Sequence, residues 1–293
     1  MEKIKNMELE KIEKLDHYAI KTLEDLPKWK YPELKIEKSD KNIFMGSGDA
    51  ANTGKIFAQI LGGHALNVCN YQTFFENGPS RDSRVYIVNA SGGKDGLKMA
   101  KWLTENNWHP KLLTNNPEPP AGKYLNPEDI FVFPANKEPP TYNVSTYASM
   151  VYWLLKEDLS EIENTIKNLK IPDLRKYKFI FFMVQDKYET LGRMAVRKIA
   201  ETLAGVGANG CGYSNAVHGM LTQPNKDRLV FCMNCKYEGS EDSYEVNIDS
   251  YLGLLLCIHY IVGKNQTDQD SENILQNYME NAKKQGWEFN KVW

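Results

Sequence analysis

Hydrophobic residues in segment 7–26 recur at steps of three and four positions, a pattern typical of an amphipathic helix. After this helix, short apolar runs alternate with segments of helical periodicity. Strands are predicted at residues 42–46, 65–70, 84–89, 110–114 and 129–133, and helices at 50–61, 95–106 and 143–157. Because strands that alternate with helices of about 10–15 residues form parallel sheets through right-handed crossovers, we predict an α/β unit here.

A second α/β pattern begins after residues 158–177, a charged and partly helical stretch that we interpret as an inter-domain connector. The continuous apolar run of residues 178–184 fits a central parallel strand. Further elements follow: a helix at 188–203, a glycine-rich stretch at 205–212, a short helix around 215–218, a strand at 228–233, and helices at 249–262 and 271–285. We therefore predict an N-terminal helix and connector (1–40), a first domain (41–157), a linker (158–177) and a second, shorter domain (178–293).

Composition narrows the class of protein. The chain has 293 residues, 42% hydrophobic and 25% charged, close to globular averages. Its 36 basic and 38 acidic side chains leave a formal charge of −2, which gives no nucleic-acid footprint and no polybasic membrane patch. Residues 1–10 are charged and lack the apolar segment of a signal peptide, and the longest apolar run, 251–262, is too short to span a bilayer. We therefore predict a cytoplasmic protein without membrane or nucleic-acid partners.

The first glycine turn, Gly46-Ser47-Gly48, lies where the strand of residues 42–46 meets the next helix. Glycines let the backbone approach a phosphate, and free N–H groups at a helix start attract an anion. The turn also matches the G-x-G-x-x-A dinucleotide pattern, which requires an acid at the end of the second strand. The first carboxylate after that strand is Glu76, so we predict no dinucleotide cofactor. A tight turn without a ligand is the alternative to a phosphate site.

A second turn of this kind follows the strand of residues 84–89 and reads Asn89-Ala-Ser91-Gly-Gly-Lys94. A small hydroxyl, two glycines and a helix start together make an anion-binding nest. Turns after the first and third strands of one parallel sheet can converge on a single ligand where the strand order reverses. The alternative is that Ser91 and the glycines only cap the next helix.

The two turns, followed by Leu-Leu-Thr-Asn at 112–115 and Tyr-Asn-Val-Ser-Thr-Tyr at 142–147, resemble the sugar isomerase (SIS) domain family. That family implies αβα sandwich units whose parallel sheets have a flavodoxin-like strand order. Its turn after the third strand usually reads Ser-x-Ser-Gly-x-Thr and holds a sugar phosphate. Ser91 matches the second serine, whereas Asn89 and Lys94 stand at the first serine and the threonine. The resemblance implies that a small-molecule sugar phosphate is held by Gly46, Ser47, Gly48, Asn89, Ser91 and Lys94.

A glutamate predicted on a helix, Glu201, precedes the segment Ala-Val-His218-Gly. The second SIS domain of phosphosugar isomerases is similar, with a helix-borne glutamate before an x-x-x-His-Gly segment. Aldose–ketose isomerisation needs a base that moves a proton between C1 and C2, and an acid–base group that opens the sugar ring. The resemblance assigns the first role to Glu201, with Glu189 as the alternative. It assigns the second role to His218, whose imidazole titrates near neutral pH.

Two SIS units in a chain of this length resemble archaeal-type bifunctional phosphoglucose/phosphomannose isomerases. That group carries an arginine near the end of the fifth strand, and this chain has no counterpart; Lys137 is the nearby cation. It also places a lysine near the extreme C-terminus in the site, for which Lys291 is the late candidate. Because the family often builds its site from two chains, the resemblance implies a homodimer that interconverts hexose 6-phosphates through a cis-enediol.

Two other functions stay open. A non-catalytic sugar-phosphate sensor would fit the missing arginine and the shortened second domain. An amino-sugar phosphate deaminase or isomerase would fit the Ala-Val-His218-Gly segment.

The five cysteines are few and odd in number, so no disulfide framework is predicted. The segment Cys232-Met-Asn-Cys235 ends a predicted strand. We interpret its cysteines as buried packing residues, with metal binding or redox chemistry as the alternatives. The other histidines share no metal-like spacing, and we predict no metal site.

Overall fold

Two parallel β-sheets organise the chain in the computed structural model, which describes residues 12–139, 141–220 and 225–284. The first sheet contains β1 (Asn42–Gly46), β2 (His64–Asn67), β3 (Arg84–Val88), β4 (Lys111–Thr114) and β5 (Ile130–Val132). Its order is β2-β1-β3-β4-β5, and each neighbouring pair is parallel. This order reverses direction at β1, as in flavodoxin-like sheets.

The second sheet is smaller and is also parallel. It contains β6 (Phe179–Val184), β7 (Gly207–Gly212), β8 (Arg228–Met233) and β9 (Asp242–Val246). Its order is β7-β6-β8-β9, again with parallel neighbours. The predicted fold class, two parallel α/β sandwich units with the second unit shorter, is confirmed.

Helices connect the strands and pack on the sheets. The described helices are α1 (Leu15–Asp25), α2 (Asp49–Leu61), α3 (Tyr71–Glu76), α4 (Lys94–Glu105), α5 (Val144–Leu155), α6 (Leu159–Asn168), α7 (Glu189–Thr202), α8 (Tyr213–Asn215), α9 (Tyr251–Lys264) and α10 (Asp268–Lys284). Among the described residues, no helix combines the length and the apolar character needed to cross a membrane.

The main hydrophobic core lies between the two sheets. Alternate strand residues point to opposite faces, so Phe44 of β1 and Phe182 of β6 enter this central core, together with residues of α1, α2, α5, α7 and α9. Helix α9 is buried along nearly its whole length, as its continuous apolar sequence requires. The intervening residues, such as Met45 and Met183, face two smaller clusters on the outer faces of the sheets.

Several elements differ from the sequence prediction. Helix α1 begins at Leu15, and residues 7–11 of the predicted helix lie outside the described residues. Helix α3 was not predicted. The connector 158–177 contains α6, which is capped by Asp158 and buries two isoleucines.

β9 occupies Asp242–Val246 and overlaps a run of carboxylates at 238–245 for which no strand is predicted. It is an edge strand whose acidic residues face outward while Val246 is buried. Polar and apolar residues alternate over only a few positions in this edge strand, so the sequence signal for a strand is weak.

Candidate functional site

The two predicted turns meet at the carboxyl edge of the first sheet. β1 and β3 are neighbours in register, and the turn after β1 lies against the end of β3. A Cβ added at Gly46 would come within 2.9 Å of the Val88 carbonyl oxygen and 2.7 Å of the Ala50 carbonyl carbon. Only glycine fits that position. The structure therefore brings Gly46–Gly48 and Asn89–Lys94 together at the point where the strand order reverses.

The β1–α2 turn leads directly into the N-terminus of α2. Gly48 has φ +59° and ψ −128°, a backbone conformation available to glycine and strained for other residues. The Ser47 carbonyl accepts a hydrogen bond from Ala50 N at 3.1 Å, which closes the turn. The positive end of the α2 dipole thus faces this edge of the sheet.

The β3–α4 turn is held closed by its own side chains. Oδ1 of the buried Asn89 accepts a hydrogen bond from Gly92 N at 2.8 Å, and Oγ of Ser91 accepts one from Gly93 N at 3.2 Å. Ser91 and Lys94 are exposed at the mouth of the turn. Of the predicted ligands here, Asn89 and Ser91 therefore shape the turn with their side chains, and Ser91 and Lys94 are exposed at its mouth.

Glu201 reaches the same edge from the second unit. Helix α7 packs on α2, and Lys198 joins the two helices. Nζ of Lys198 donates to Glu201 Oε2 at 2.8 Å and to the Thr141 carbonyl at 2.7 Å, and it lies 3.1 Å from Asp49 Oδ2. Asp49 directly follows Gly48 in the chain. A single lysine side chain therefore links the predicted base to the predicted phosphate turn.

Burial controls the electrostatics of this cluster. Burial raises the pKa of Glu201, and the positive charge of Lys198 opposes that shift. For Lys198, burial acts to lower the pKa, but the carboxylates of Asp49 and Glu201 more than offset it, so the pKa is raised. Lys198 is therefore a buried ammonium at neutral pH, held between two acidic groups.

Arg197 contributes a second cation at the turn. Its guanidinium lies directly over Gly48, where an added Cβ would overlap Nη1, and its Nε is 3.4 Å from Asp49 Oδ1. The side chain is 46% exposed. The sequence analysis assigned no role to Asp49, Arg197 or Lys198. The available signal was the spacing of Lys198 and Glu201, three residues apart on one helix, which places them on the same face.

The other predicted catalytic residues lie apart from this cluster or outside the described residues. His218 is exposed in a π-helical turn, Ala216–Met220, that follows β7 and α8. It is not among the described groups that contact Glu201. Lys291 lies outside the described residues. The alternative base, Glu189, stands at the opposite end of α7, about 18 Å from Glu201 by helical rise, and pairs with Arg193.

The comparisons with known proteins support the predicted fold. No protein-family profile matches the chain, and no curated protein matches it by sequence. Among solved structures, it is similar to glucosamine-6-phosphate deaminase from Thermotoga maritima, with TM-score 0.58, 15% identity, and coverage of 88% of this chain and 91% of that one. It is also similar to a candidate phosphosugar isomerase from Clostridium difficile 630, with TM-score 0.62, 11% identity, and coverage of 86% and 92%.

A third similar structure is the C-terminal domain of glucosamine-fructose-6-phosphate aminotransferase from Francisella tularensis, with TM-score 0.58, 10% identity, and coverage of 89% and 95%. The chain shares its fold with these proteins. At such identities the likeness concerns the fold.

Two further titratable groups border the cluster, the partly buried Glu138 and the buried His259. Glu138 caps α5: its carboxylate accepts hydrogen bonds from Val144 N at 3.0 Å and from Ser145 N at 2.9 Å, and burial raises its pKa to about 7. His259 of α9 is buried, and its Nδ1 lies 2.7 Å from the Leu255 carbonyl. Burial, with the charge of Lys198, lowers the pKa of His259 to about 4. The imidazole is therefore neutral, with Nδ1–H donating to that carbonyl.

Neither a metal nor a dinucleotide finds its expected ligands among the described residues. No group of three or more His, Cys, Asp or Glu side chains there converges in a way that could hold a metal ion. β2 ends at Asn67, so the dinucleotide pattern lacks its acidic residue at that strand end.

Proposed function

We propose that the protein is a phosphosugar isomerase that interconverts the aldose and ketose forms of a hexose 6-phosphate. The observation that carries this proposal is the contact chain from Glu201 through Lys198 to Asp49, which places a partly buried carboxylate beside the Gly46–Gly48 turn. The shared fold supports the same class of reaction. The resemblance to archaeal-type bifunctional isomerases favours glucose, mannose and fructose 6-phosphates as substrates.

The phosphate is proposed to bind at the two turns of the first unit. The N-terminus of α2 and the backbone of Gly46–Gly48 favour an anion there, and the Arg197 guanidinium above Gly48 adds a fork of donors suited to phosphate oxygens. Ser91 and Lys94 lie at the mouth of the neighbouring turn and would contact the outer side of the phosphate. Such an anchor, remote from C1 and C2, supplies binding energy that positions the reacting carbons.

Glu201 is proposed to move the proton between C1 and C2 through a cis-enediol. A carboxylate whose pKa is raised by burial is a better proton acceptor near neutral pH than an exposed one. Lys198 orients this carboxylate by its 2.8 Å hydrogen bond. The buried ammonium also keeps positive charge close to the enediol oxygens, where negative charge develops in the transition state.

His218 and Lys291 complete the proposed machinery. His218 would assist ring opening, and Lys291 would act from the C-terminal tail. Because His218 is exposed on its turn, it is available to enter the site of a second chain. We accordingly propose a homodimer with a shared site, located in the cytoplasm.

Proton NMR of the full chain with hexose and amino-hexose 6-phosphates in D2O tests the proposal. Loss of the C2 proton signal with growth of a ketose signal is the expected result. Broadened ligand signals without turnover would instead indicate a sugar-phosphate sensor. Release of ammonia from glucosamine 6-phosphate would indicate a deaminase, a possibility that the similarity to the Thermotoga maritima deaminase makes worth measuring. Unchanged spectra without broadening across the panel would contradict the proposed substrate class.

A further inference from the structure

Two cysteines lie three residues apart at the carboxyl end of β8. Cys232 is within the strand, and the chain turns back at Asn234, which has φ +52°. This turn is fixed on both sides: Asn234 N donates to the Val246 carbonyl at 3.0 Å, and its Nδ2 donates to the Ile248 carbonyl at 2.6 Å. Cys235 is thereby folded back over the strand end and donates its thiol hydrogen to the Met183 carbonyl at 3.1 Å.

The two thiols differ in exposure and interact with each other. Cys232 is fully buried, whereas Cys235 is partly exposed. The contact with the Cys235 thiol raises the pKa of Cys232, and the same contact lowers the pKa of Cys235. A thiol of lowered pKa at the surface, beside a buried thiol of raised pKa, is the division found in reactive Cys-x-x-Cys pairs. Of the two, only Cys235 is partly exposed and within reach of a small-molecule disulfide, which suits it to attack and the buried Cys232 to resolve.

Sheet register excludes the third nearby thiol as a partner of Cys232. Cys211 of β7 lies opposite Met183 of β6, and Met183 lies opposite Cys232 of β8. Two strand spacings of about 4.8 Å separate Cys211 from Cys232, or about 9.6 Å in total. A disulfide requires Cα atoms no more than about 7 Å apart, so within this sheet Cys232 is restricted to Cys235.

We propose that Cys232 and Cys235 form a reversible dithiol–disulfide site that exchanges with small-molecule disulfides, a property separate from the proposed isomerase activity. With oxidised glutathione, the Cys235 thiolate attacks one sulfur and releases one glutathione thiolate, leaving a mixed disulfide. Cys232 then loses its proton and attacks Cys235 Sγ, which releases the second glutathione. The protein pair loses two electrons and two protons, and the glutathione disulfide is reduced to two thiols.

The site lies beneath the turn that carries His218. Cys232 and Ala216, the first residue of that turn, pack in the same small cluster on the outer face of the second sheet. Turning the Cys232 side chain toward Cys235 removes packing from below Ala216. Oxidation is therefore expected to increase amide hydrogen exchange in residues 213–218.

The test is a redox titration of the full chain with mixtures of reduced and oxidised glutathione, followed by alkylation and peptide mass spectrometry. We expect Cys232 and Cys235 to become unreactive to alkylation together, with the loss of two hydrogen atoms, at ratios that leave the exposed, solitary Cys69 unmodified. Dithiothreitol should restore both thiols. Cys235→Ser should abolish the reaction, and Cys69→Ser, the matched control, should leave it unchanged.

Three outcomes would overturn the proposal. Cys235 could remain alkylatable at ratios where Cys69 is already glutathionylated, it could be recovered in a disulfide with Cys211, or oxidation could proceed unchanged in Cys235→Ser. The Cys232→Ser variant supplies a second readout if it folds, because it should trap a stable glutathione adduct on Cys235. Since the readout is covalent, failure of the isomerase proposal would not alter the result.

Discussion

Replacement of Lys198 by methionine tests the buried charge cluster most directly. Methionine retains the length of the apolar stem but lacks the ammonium, so it removes the hydrogen bonds to Glu201 Oε2 and to the Thr141 carbonyl and the 3.1 Å ion pair with Asp49. Removing one partner from a buried ion pair costs about 3–5 kcal/mol of unfolding free energy. Because the Glu201 side chain is one-third exposed, at 33%, water can solvate it again, and we expect about 3 kcal/mol.

Urea unfolding followed by circular dichroism measures this loss, with Lys187→Met as the control. Lys187 pairs with Asp249 at the surface, and exposed pairs contribute about 0–1 kcal/mol. In Lys198→Met, Glu201 lacks the cation that opposes the effect of burial, so its pKa in the folded state rises further above its value in the unfolded state. Protonation then favours the folded state, and the loss should be smaller at about pH 5 than near neutral pH. A loss under about 1 kcal/mol, or no dependence on pH, would show that Lys198 does not hold a buried charge cluster together.

Three further predictions follow from named contacts. Gly48→Ala places a Cβ on the Arg197 guanidinium at positive φ and should cost about 1–3 kcal/mol of stability; an unchanged urea midpoint would contradict this. Arg197→Gln should weaken inorganic phosphate binding about tenfold by calorimetry, whereas Arg193→Gln should not, and equal binding would exclude Arg197 as a ligand. The pKa of Glu138 is raised from 4.5 to about 7, so wild-type stability should fall as pH rises through that range. Glu138→Gln should flatten the plot of Tm against pH, and an identical plot for the variant and the wild type would refute the assignment.

Much of the fold is predictable from local pattern. The buried strands β1, β3, β6 and β8 are short, continuous apolar runs between turns, so their existence follows from the sequence. The two edge strands of the second sheet, β7 and β9, are not predicted as strands. β7 is rich in glycine, partly because a Cβ at Gly210 would come within 2.8 Å of Phe182 Cβ on the adjacent strand, and that reason is visible only once the strands are paired.

The candidate site is also predictable only in part, because only some of its residues stand in local sequence motifs. The Gly46–Gly48 turn and Glu201 each stand out as motifs, and in the structure Lys198 links them. Lys198, Arg197 and Asp49 were missed because ordinary charged residues on helices are usually solvated. Their role depends on the packing of α7 against α2, a contact between distant parts of the chain that no local pattern specifies.

In the proposed function, Glu201 moves the substrate proton between C1 and C2. The direct measurement is the rate of deuterium incorporation at C2 of the hexose 6-phosphate found to be a substrate, in D2O, for the wild-type chain, Glu201→Gln and Glu189→Gln. Glu189 lies on the same helix and forms a surface pair with Arg193, which makes its variant the matched control. We expect wild-type incorporation in Glu189→Gln and a loss of at least about a hundredfold in Glu201→Gln. Wild-type incorporation in Glu201→Gln would contradict the proposed role of Glu201.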